Sequence, residues 1–308
     1  MKNFINISDH SSNVLRAIID EGKIRKLKRK GLNKSAPDED KPFEGKSMAM
    51  IFEKPSTRTR MSFDIAVKQL GGSSIILNPD GIHYGKGDET LKDTAKVLTE
   101  YVDIVMLRTS SHKNLEEFGK HLDIPIINGL SDQSHPCQIM SDIFTFEETK
   151  GSVKDKIISW LGDGNNNMSN SLIEAAGRFG FKLKIGCPKK YEPSKKILNW
   201  AKKNKVNLLI TNKPNEAVKD ADCVMTDKWV SMNDKVNKKQ KKKNLKSFQV
   251  NKNLMKKAKS DAIFMHCLPV GRGEEVTDEV IDGKQSVVWQ QALNRVHAQK
   301  SIINWCLS

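Results

Sequence analysis

The sequence predicts an α/β protein with two domains, each a mostly parallel sheet flanked by helices. Three observations support this fold class. The chain has 308 residues, which is too long for one ordinary core and suits two domains of roughly 150 residues each. Short apolar runs alternate with helical patterns through both halves, as in sheets that are covered by helices on both faces. The chemically unusual residues follow these runs, where such sheets bind ligands.

The first half opens with an amphipathic helix, in which Val14, Leu15, Ile18 and Ile19 recur at helical spacing. Four apolar runs then predict the strands of the first sheet. We expect these strands at residues 48–52, 74–77, 104–107 and 125–127, with helices at 57–70 and 90–101.

The second half starts after a long helical segment at residues 136–149, which the pair Lys150-Gly151 should end. Five more runs predict a second sheet, with strands at 157–161, 183–185, 208–210, 223–225 and 263–265, and a final helix covers 291–307. We therefore expect a first domain of residues 1–135 joined by 291–308, a linking helix at 136–150, and a second domain at 151–290. The active site is expected in the cleft between the two domains.

The composition restricts the classes of function. The net charge is +15 with 29% charged residues, but the aromatic residues do not interleave with the basic ones, so the pattern of a nucleic-acid-binding surface is missing. A solvated lysine-rich surface, including a solvated loop at residues 235–246, is the preferred interpretation, and it would attract anionic substrates. No apolar run approaches the roughly 20 residues of a membrane span. We expect a cytoplasmic protein, since the N-terminus resembles no targeting segment.

The strongest motif is Ser56-Thr57-Arg58-Thr59-Arg60, which leaves a predicted strand and enters a predicted helix. The start of a helix offers unpaired backbone N–H groups and the positive end of the helix dipole. Three hydroxyl groups and the arginines add further donors for one oxyanion. A plain helix cap would explain one hydroxyl group but not this density, so the motif favours anion binding.

Two further groups follow strands or open a helix in the first half. Arg108 stands at the end of a strand, where it either faces a ligand or forms a structural ion pair, and His112 is expected at the start of a helix. In His135-Pro136-Cys137-Gln138, Pro136 suits the first helical position. This leaves His135 at the N-cap and exposed to the cleft, where it could donate a hydrogen bond to a developing oxyanion.

The second half contains a glycine-rich turn that only superficially resembles a dinucleotide fingerprint. Asn167 replaces the third glycine, and no acidic residue ends the next strand. Asp227 and Cys267 each follow an apolar run and could together hold an ammonium group and accept its proton. The alternative for Cys267 is a buried core thiol, and the five scattered cysteines suggest neither a disulfide framework nor a zinc site.

Taken in order, these motifs resemble the aspartate/ornithine carbamoyltransferase family over nearly the whole chain, from the first helix to residues 290–299. The motifs at 56–60 and 135–138 are typical of the whole family. Asp227 with Ser231-Met232, and His266-Cys267-Leu268-Pro269, resemble its ornithine branch. The resemblance implies transfer of a carbamoyl group from carbamoyl phosphate to the side-chain amine of L-ornithine, in arginine biosynthesis, by a homotrimer without a metal or another cofactor.

The resemblance also implies the role of each site residue. Catalysis would fall to Arg108, His135, Asp227 and Cys267. Carbamoyl phosphate, in the first domain, would be bound by Ser56, Thr57, Arg58, Thr59, His83, Arg108, His135, Gln138, Cys267, Leu268 and Arg295. Ornithine, in the second domain, would be bound by Asn167, Asp227, Ser231 and Met232.

Three features depart from the usual pattern of the family. One is the lysine-rich stretch at residues 235–246, which lies in the segment that resembles the mobile flap closing over ornithine, although a solvated loop is the preferred interpretation. Asn233 stands where glycine is usual, although asparagine tolerates the left-handed conformation. His83 stands where many bacterial members have glutamine, in a loop that in this family reaches a neighbouring subunit. The alternatives are a carbamoyltransferase for putrescine, a modified or acylated ornithine, or aspartate, and a basic nucleic-acid-binding protein on an inactive scaffold.

Overall fold

The computed structural model describes residues 1–78, 89–230 and 237–308. The chain forms two compact units. The first comprises Met1–Phe144 with Leu293–Ser308, and the second comprises Thr145–Ala292. Within the described residues, no helix combines the length and apolarity needed to cross a membrane.

The first unit contains a four-stranded parallel sheet. Its strands are β1 (Ser47–Phe52), β2 (Ser73–Leu77), β3 (Ile104–Arg108) and β4 (Ile126–Leu130), in the order β2-β1-β3-β4. Its helices before the second unit are α1 (Ser12–Lys28), α2 (Thr57–Gln69), α3 (Leu91–Tyr101) and α4 (His112–His121). Helix α5 (Pro136–Lys150) starts in this unit and continues into the second. Buried residues of β1, β3, α3 and α4, among them Ile51, Val105, Leu98 and Phe118, form one core cluster of this unit.

The second unit contains a five-stranded parallel sheet. Its strands are β5 (Ile157–Leu161), β6 (Lys182–Gly186), β7 (Leu208–Thr211), β8 (Cys223–Thr226) and β9 (Ile263–His266), in the order β7-β6-β5-β8-β9. Its helices are α6 (Asn167–Phe179), α7 (Lys195–Lys203), α8 (Pro214–Val218), α9 (Lys238–Leu245), α10 (Lys252–Met255) and α11 (Asp278–Ile281). The last helix, α12 (Val288–Leu307), starts here and returns the chain to the first unit.

These elements confirm the predicted fold class and all nine predicted strands. Eight of the strands agree to within one residue at each end, and β4 ends three residues later than predicted. Helix α5 begins at Pro136 as expected and ends before Gly151, whose φ of 73° is the left-handed conformation that glycine adopts readily. The boundary in the chain between the first and the second unit falls within α5, after Phe144. The assignment of one substrate to each domain stays a prediction.

The lysine-rich stretch at residues 235–246 corrects one expectation. The predicted loop is wrong for Lys238–Leu245, which forms α9 behind an Asn237 cap, and residues 235–236 lie outside the described residues. The predicted exposure to solvent is confirmed for most lysines of this stretch. Lys241, in the middle of this helix, is buried with Asp163, because the carboxylate neutralises its charge. A lysine run is normally solvated, and only the three-dimensional pairing makes this member an exception.

Candidate functional site

The parallel pairing of β1 and β3 brings the first two motifs together. Phe52 is opposite Arg108 in the register of these strands, so the chain that leaves β1 for α2 runs beside the end of β3. The Glu53 N–H donates to the Arg108 carbonyl at 3.0 Å, and the Glu53 carboxylate accepts from the Ser110 N–H at 3.0 Å. Two segments that are about fifty residues apart in sequence are thus joined at the C-terminal ends of the two central strands.

A group that we call the arginine cluster lies at these strand ends, and it consists of Thr59, Arg108, His135, Gln138 and Arg295. Its centre is the hydroxyl group of Thr59, which accepts one N–H from Arg108 and one from Arg295, each at 2.9 Å. A hydroxyl oxygen that accepts two hydrogen bonds still has its own proton to donate. Thr59 therefore fixes both guanidinium groups while remaining a donor.

Gln138 is held in one orientation by two charged partners. Its side-chain carbonyl accepts from Arg295, and its amide nitrogen donates to Asp142 at 2.8 Å. Asp142 lies four residues after Gln138, on the same face of α5. It was not among the predicted site residues. A buried carboxylate of this kind fixes which end of the amide faces Arg295.

His135 differs from its prediction in one respect. It directly precedes α5 as expected, but it is buried, with 5% of its surface exposed, rather than open to solvent. Burial, followed by the charges of Arg295, Arg108 and Arg58, holds the pKa of His135 well below its usual value of 6.5. The imidazole is therefore neutral at physiological pH and can donate one N–H without adding a positive charge.

The start of α2 supplies further donors. Ser56 occupies the N-cap, but its side chain makes no capping hydrogen bond to the helix. The first N–H groups of α2 are thus not claimed by the side chain that usually satisfies them, which suits an anion at this position. Arg60 points elsewhere, since its guanidinium group stacks on the Phe52 ring at 5.1 Å and donates to Asn78 at 2.5 Å.

The second unit holds a different group, which we call the thiol cluster, consisting of Asp227, His266, Cys267, Leu268 and Glu275. Thr226 is opposite His266 in the parallel pairing of β8 with β9. The residues that follow, Asp227 and Cys267, are therefore neighbours, and the Cys267 thiol donates to the Asp227 carboxylate at 3.1 Å. The predicted pairing of an aspartate with a thiol is present in the geometry.

A buried histidine stands behind this pair. The Leu268 N–H donates to Nδ1 of His266 at 2.8 Å, so the ring proton lies on Nε2, which faces the Glu275 carboxylate at 3.2 Å. Both side chains are fully buried. Leu268 has a φ of 59°, a left-handed conformation that is unusual for leucine and that this hydrogen bond helps to maintain. No motif in the sequence marks Glu275, so it was not among the predicted site residues.

Asp227, His266 and Cys267 bring three potential metal ligands within 4.8 Å of one another. A cation at this position would have to displace either the Leu268 N–H from Nδ1 or Glu275 from Nε2 of His266. The donor set thus fits a hydrogen-bonded network better than a metal centre.

Two family models match the chain in succession. The aspartate/ornithine carbamoyltransferase carbamoyl-P binding domain matches residues 2–148. The Asp/Orn binding domain of the same family matches residues 154–306. The chain belongs to the aspartate/ornithine carbamoyltransferase family.

Relatives within this family cover the full length. The chain is 50% identical over 306 residues to an ornithine carbamoyltransferase of Rhizobium meliloti, covering 99% of this chain and 98% of the relative. An ornithine carbamoyltransferase of Agrobacterium fabrum is 49% identical over 306 residues, with the same coverage of both chains. The family match is therefore not confined to a single motif or domain.

Solved structures of the family have the same fold. Ornithine carbamoyltransferase from Pyrococcus furiosus superposes with a TM-score of 0.91 at 42% identity, covering 98% of this chain and 96% of that one. The anabolic ornithine carbamoyltransferase from Campylobacter jejuni superposes with a TM-score of 0.90 at 35% identity, covering 99% of each chain.

The structure places most of the predicted site residues in one of the two clusters or beside one. Asn167 opens α6 in the second unit. His83, Ser231 and Met232 lie outside the described residues, as does Asn233. His112 starts α4 and bonds to Ser131 at 2.8 Å, which confirms its structural role.

The cysteines divide into two kinds. Burial raises the pKa of the thiols of Cys137 and Cys187 to about 12, and it also raises that of Cys306. Cys267, in contrast, is only partly buried, while Cys223 is buried like the other three. Among the five thiols, Cys267 is thus the one with access to a ligand.

Proposed function

We propose that this chain transfers the carbamoyl group of carbamoyl phosphate to the side-chain amine of L-ornithine, forming L-citrulline and phosphate. The family explains the transfer of a carbamoyl group. The hydrogen bond between Cys267 and Asp227 is the observation that supports an amine as the acceptor of the carbamoyl group. A carboxylate and a thiol side by side can hold an ammonium group and receive its proton. The relatives of about 50% identity are ornithine carbamoyltransferases, which supports ornithine as the amine.

Carbamoyl phosphate binds at the arginine cluster in this proposal. The phosphate takes the N–H groups and side chains of Ser56, Thr57, Arg58 and Thr59, together with Arg108. Thr59 and Arg108 also reach the carbonyl oxygen, and neutral His135 donates to it. Donors that are already fixed by hydrogen bonds, as Thr59 and Arg108 are at 2.9 Å, can stabilise a developing oxyanion without reorganising.

The remaining donor-binding residues complete the carbamoyl group's environment. The side-chain oxygen of Gln138 accepts from Arg295 and has a second lone pair for the carbamoyl NH₂ group. We assign Cys267 and Leu268 to the same ligand, with Leu268 contributing its carbonyl, because its N–H is given to His266. His83 is retained as a predicted ligand.

Ornithine binds through Asp227 and Asn167 and, as predicted from the motif, through Ser231 and Met232. An alkyl amine with a pKa near that of lysine is neutral in roughly one molecule in a thousand or fewer at pH 7. The Asp227–Cys267 pair takes the ammonium proton, and the neutral nitrogen forms a bond to the carbamoyl carbon. The tetrahedral intermediate collapses as the bond to the phosphate oxygen breaks: phosphate leaves with the electron pair and takes the second proton from the attacking nitrogen. No covalent intermediate with the protein is needed.

We also propose that the chain works as a homotrimer. Strand β2 is at an edge of the first sheet, and Ile75 and Ile76 on it are 47% and 37% exposed. Apolar side chains on an open sheet edge favour contact with another chain. A mass of three times the 34.7 kDa chain in light scattering after size exclusion is the expected result. A monomeric mass would contradict the proposal.

A cytoplasmic role in arginine biosynthesis is the third part of the proposal. The five cysteines are free thiols, which is usual in a reducing compartment. The Campylobacter jejuni relative is an anabolic ornithine carbamoyltransferase, which supports the biosynthetic direction. An arginine auxotroph that lacks its own ornithine carbamoyltransferase should grow without arginine when it expresses this chain.

The function is tested with a panel of acceptor amines. Purified protein and carbamoyl phosphate are incubated with ornithine, putrescine, N-acetylornithine or aspartate, and the ureido product and phosphate are measured. Ornithine should give citrulline and phosphate in equal amounts, at a rate well above the other three. A reaction with putrescine or aspartate but not with ornithine would show that the acceptor is wrong.

A further inference from the structure

The second unit contains a buried ion pair that the proposed reaction does not use. Lys241 of α9 approaches the Asp163 carboxylate at 2.6 Å, and their side chains are only 4% and 7% exposed. Removing two charges from water is costly, so a buried pair seldom persists for stability alone. A pair of this kind is better explained by the conformation that it imposes.

Asp163 organises the turn that connects β5 to α6. One carboxylate oxygen accepts the Asn165 N–H at 2.9 Å, and the other faces Lys241. The Asp163 carbonyl accepts from the indole N–H of Trp160 at 2.9 Å. The side chain of Asp163 thus determines the path of the turn, which ends at Asn167.

The turn is closely packed on its other side. A side chain at Gly164 would come within 2.8 Å of the Tyr191 carbonyl, so the backbone cannot shift in that direction. Asn166 caps α6 by accepting from the Ser169 N–H at 2.8 Å, and the Ser169 hydroxyl donates to the Gly164 carbonyl at 2.8 Å. Asn167 is therefore presented from a turn that is fixed at both ends.

Helix α9 is held against the same region by more than the ion pair. The ammonium group of Lys241 lies 5.7 Å from the centre of the Tyr191 ring, and Asn244 donates to the Tyr191 hydroxyl group at 3.3 Å. Tyr191 therefore contacts both α9 and the Asp163 turn. Lys241 is the charged link between the helix and the turn.

We propose that Lys241 is a positioning residue for the amino-acid substrate, because its ion pair with Asp163 holds the turn that presents Asn167. This inference rests on the proposed function, in which Asn167 is an ornithine ligand. It assigns a role to one member of the lysine-rich stretch, and it predicts that the role concerns ornithine and not carbamoyl phosphate.

The test is steady-state kinetics on Lys241→Met, which keeps the length of the side chain and removes its charge. The KM for ornithine should rise by about tenfold to hundredfold, the range expected when a binding group is displaced by a fraction of an ångström or more. The KM for carbamoyl phosphate should stay within about twofold, since the arginine cluster is in the other unit. Lys241→Arg, which keeps the charge, should recover most of the affinity for ornithine.

Two further variants keep the test decisive. Lys243→Met, on the exposed face of the same helix, should behave as the wild type. If Lys241→Met does not fold, the double variant Lys241→Met/Asp163→Asn leaves no unpaired buried charge and retains an oxygen for the Asn165 N–H. This variant should also show the raised KM for ornithine.

The outcomes separate the inference from the function on which it rests. An unchanged KM for ornithine in folded Lys241→Met or in the double variant would overturn the positioning role. An equal rise of both KM values would do the same, because it would indicate general damage. Failure of the wild type to form citrulline would instead overturn the proposed function.

Discussion

The arginine cluster gathers two guanidinium groups around one threonine hydroxyl, whereas the thiol cluster places a carboxylate beside a thiol and a second carboxylate behind an imidazole. Each contains one buried histidine, but the surroundings differ. His135 is near three arginines and has a pKa well below its usual value. His266 is held between the Leu268 N–H and the Glu275 carboxylate. The guanidinium groups of the first cluster favour an anion, and the carboxylates of the second favour a cation.

Of the substitutions in the two clusters, we expect the replacement of Asp227 to reduce activity the most. Asp227→Asn removes the charge that holds the ammonium group in the proposed reaction, and it weakens the proposed acceptor of the amine proton. We expect kcat/KM for ornithine to fall by about a thousandfold, within the range for the loss of a general base. The KM for carbamoyl phosphate should change by less than about twofold. Initial rates of citrulline formation measure both, with the surface variant Asp282→Asn as the control.

Replacing Arg108 in the arginine cluster should impair the use of carbamoyl phosphate, whereas replacing Asp227 should impair the use of ornithine. Arg108→Met leaves the hydroxyl of Thr59 with one guanidinium partner and removes a proposed donor to the developing oxyanion. We expect kcat/KM for carbamoyl phosphate to fall by roughly a hundredfold to a thousandfold. Arg60→Met is the matched control, because Arg60 belongs to the same motif but bonds to Asn78 and stacks on Phe52. An equally large fall of kcat/KM in Arg60→Met would contradict the binding of the anion at the arginine cluster.

A smaller effect is expected from the residue behind the thiol cluster. Glu275→Gln keeps the shape of the side chain but weakens the acceptor for His266, which orients Leu268 beside Cys267. The turnover number should fall by about tenfold, the order found when a group that orients an active side chain is changed. Glu274→Gln, at the adjacent and partly exposed position that pairs with Lys242, should have little effect. Equal falls of the turnover number in Glu275→Gln and Glu274→Gln would contradict an orienting role that is specific to Glu275.

The smallest effect is a difference in titration. Because the pKa of His135 lies well below 6.5, its imidazole should already be neutral at pH 6.5 and should gain a proton only at a more acidic pH. Nuclear magnetic resonance of protein labelled at the histidine ring carbons should show this, with His135→Gln identifying the signal. A midpoint near pH 6.5 would mean that the arginines do not act on this ring as the structure indicates.

The sequence predicted the framework of both clusters better than their interiors. The strands at 48–52 and 223–225 could be read from short apolar runs, because burial between helices demands apolar residues throughout a strand. The residues after each strand were then recognisable as site candidates. Ser56 to Thr59 and Arg108 were predicted to lie at strand ends, and the register between β1 and β3 places them side by side.

The remaining features depend on packing that local patterns do not encode. His135 was expected to be exposed, yet it is buried, since the arrangement of Arg108 and Arg295 around it is not visible from its neighbours in sequence. Glu275 reaches His266 only through the fold of the chain after β9. Lys241 looks like any other lysine of its run until Asp163 is brought against it.

The most direct test of the central comparison is calorimetric titration with inorganic phosphate, the simplest anion of the proposed reaction. Wild-type protein and Asp227→Asn should bind phosphate with dissociation constants within about twofold of each other, and Arg108→Met should bind at least about tenfold more weakly. Phosphate binding that is lost equally in Asp227→Asn and Arg108→Met would contradict the assignment of the anion to the arginine cluster.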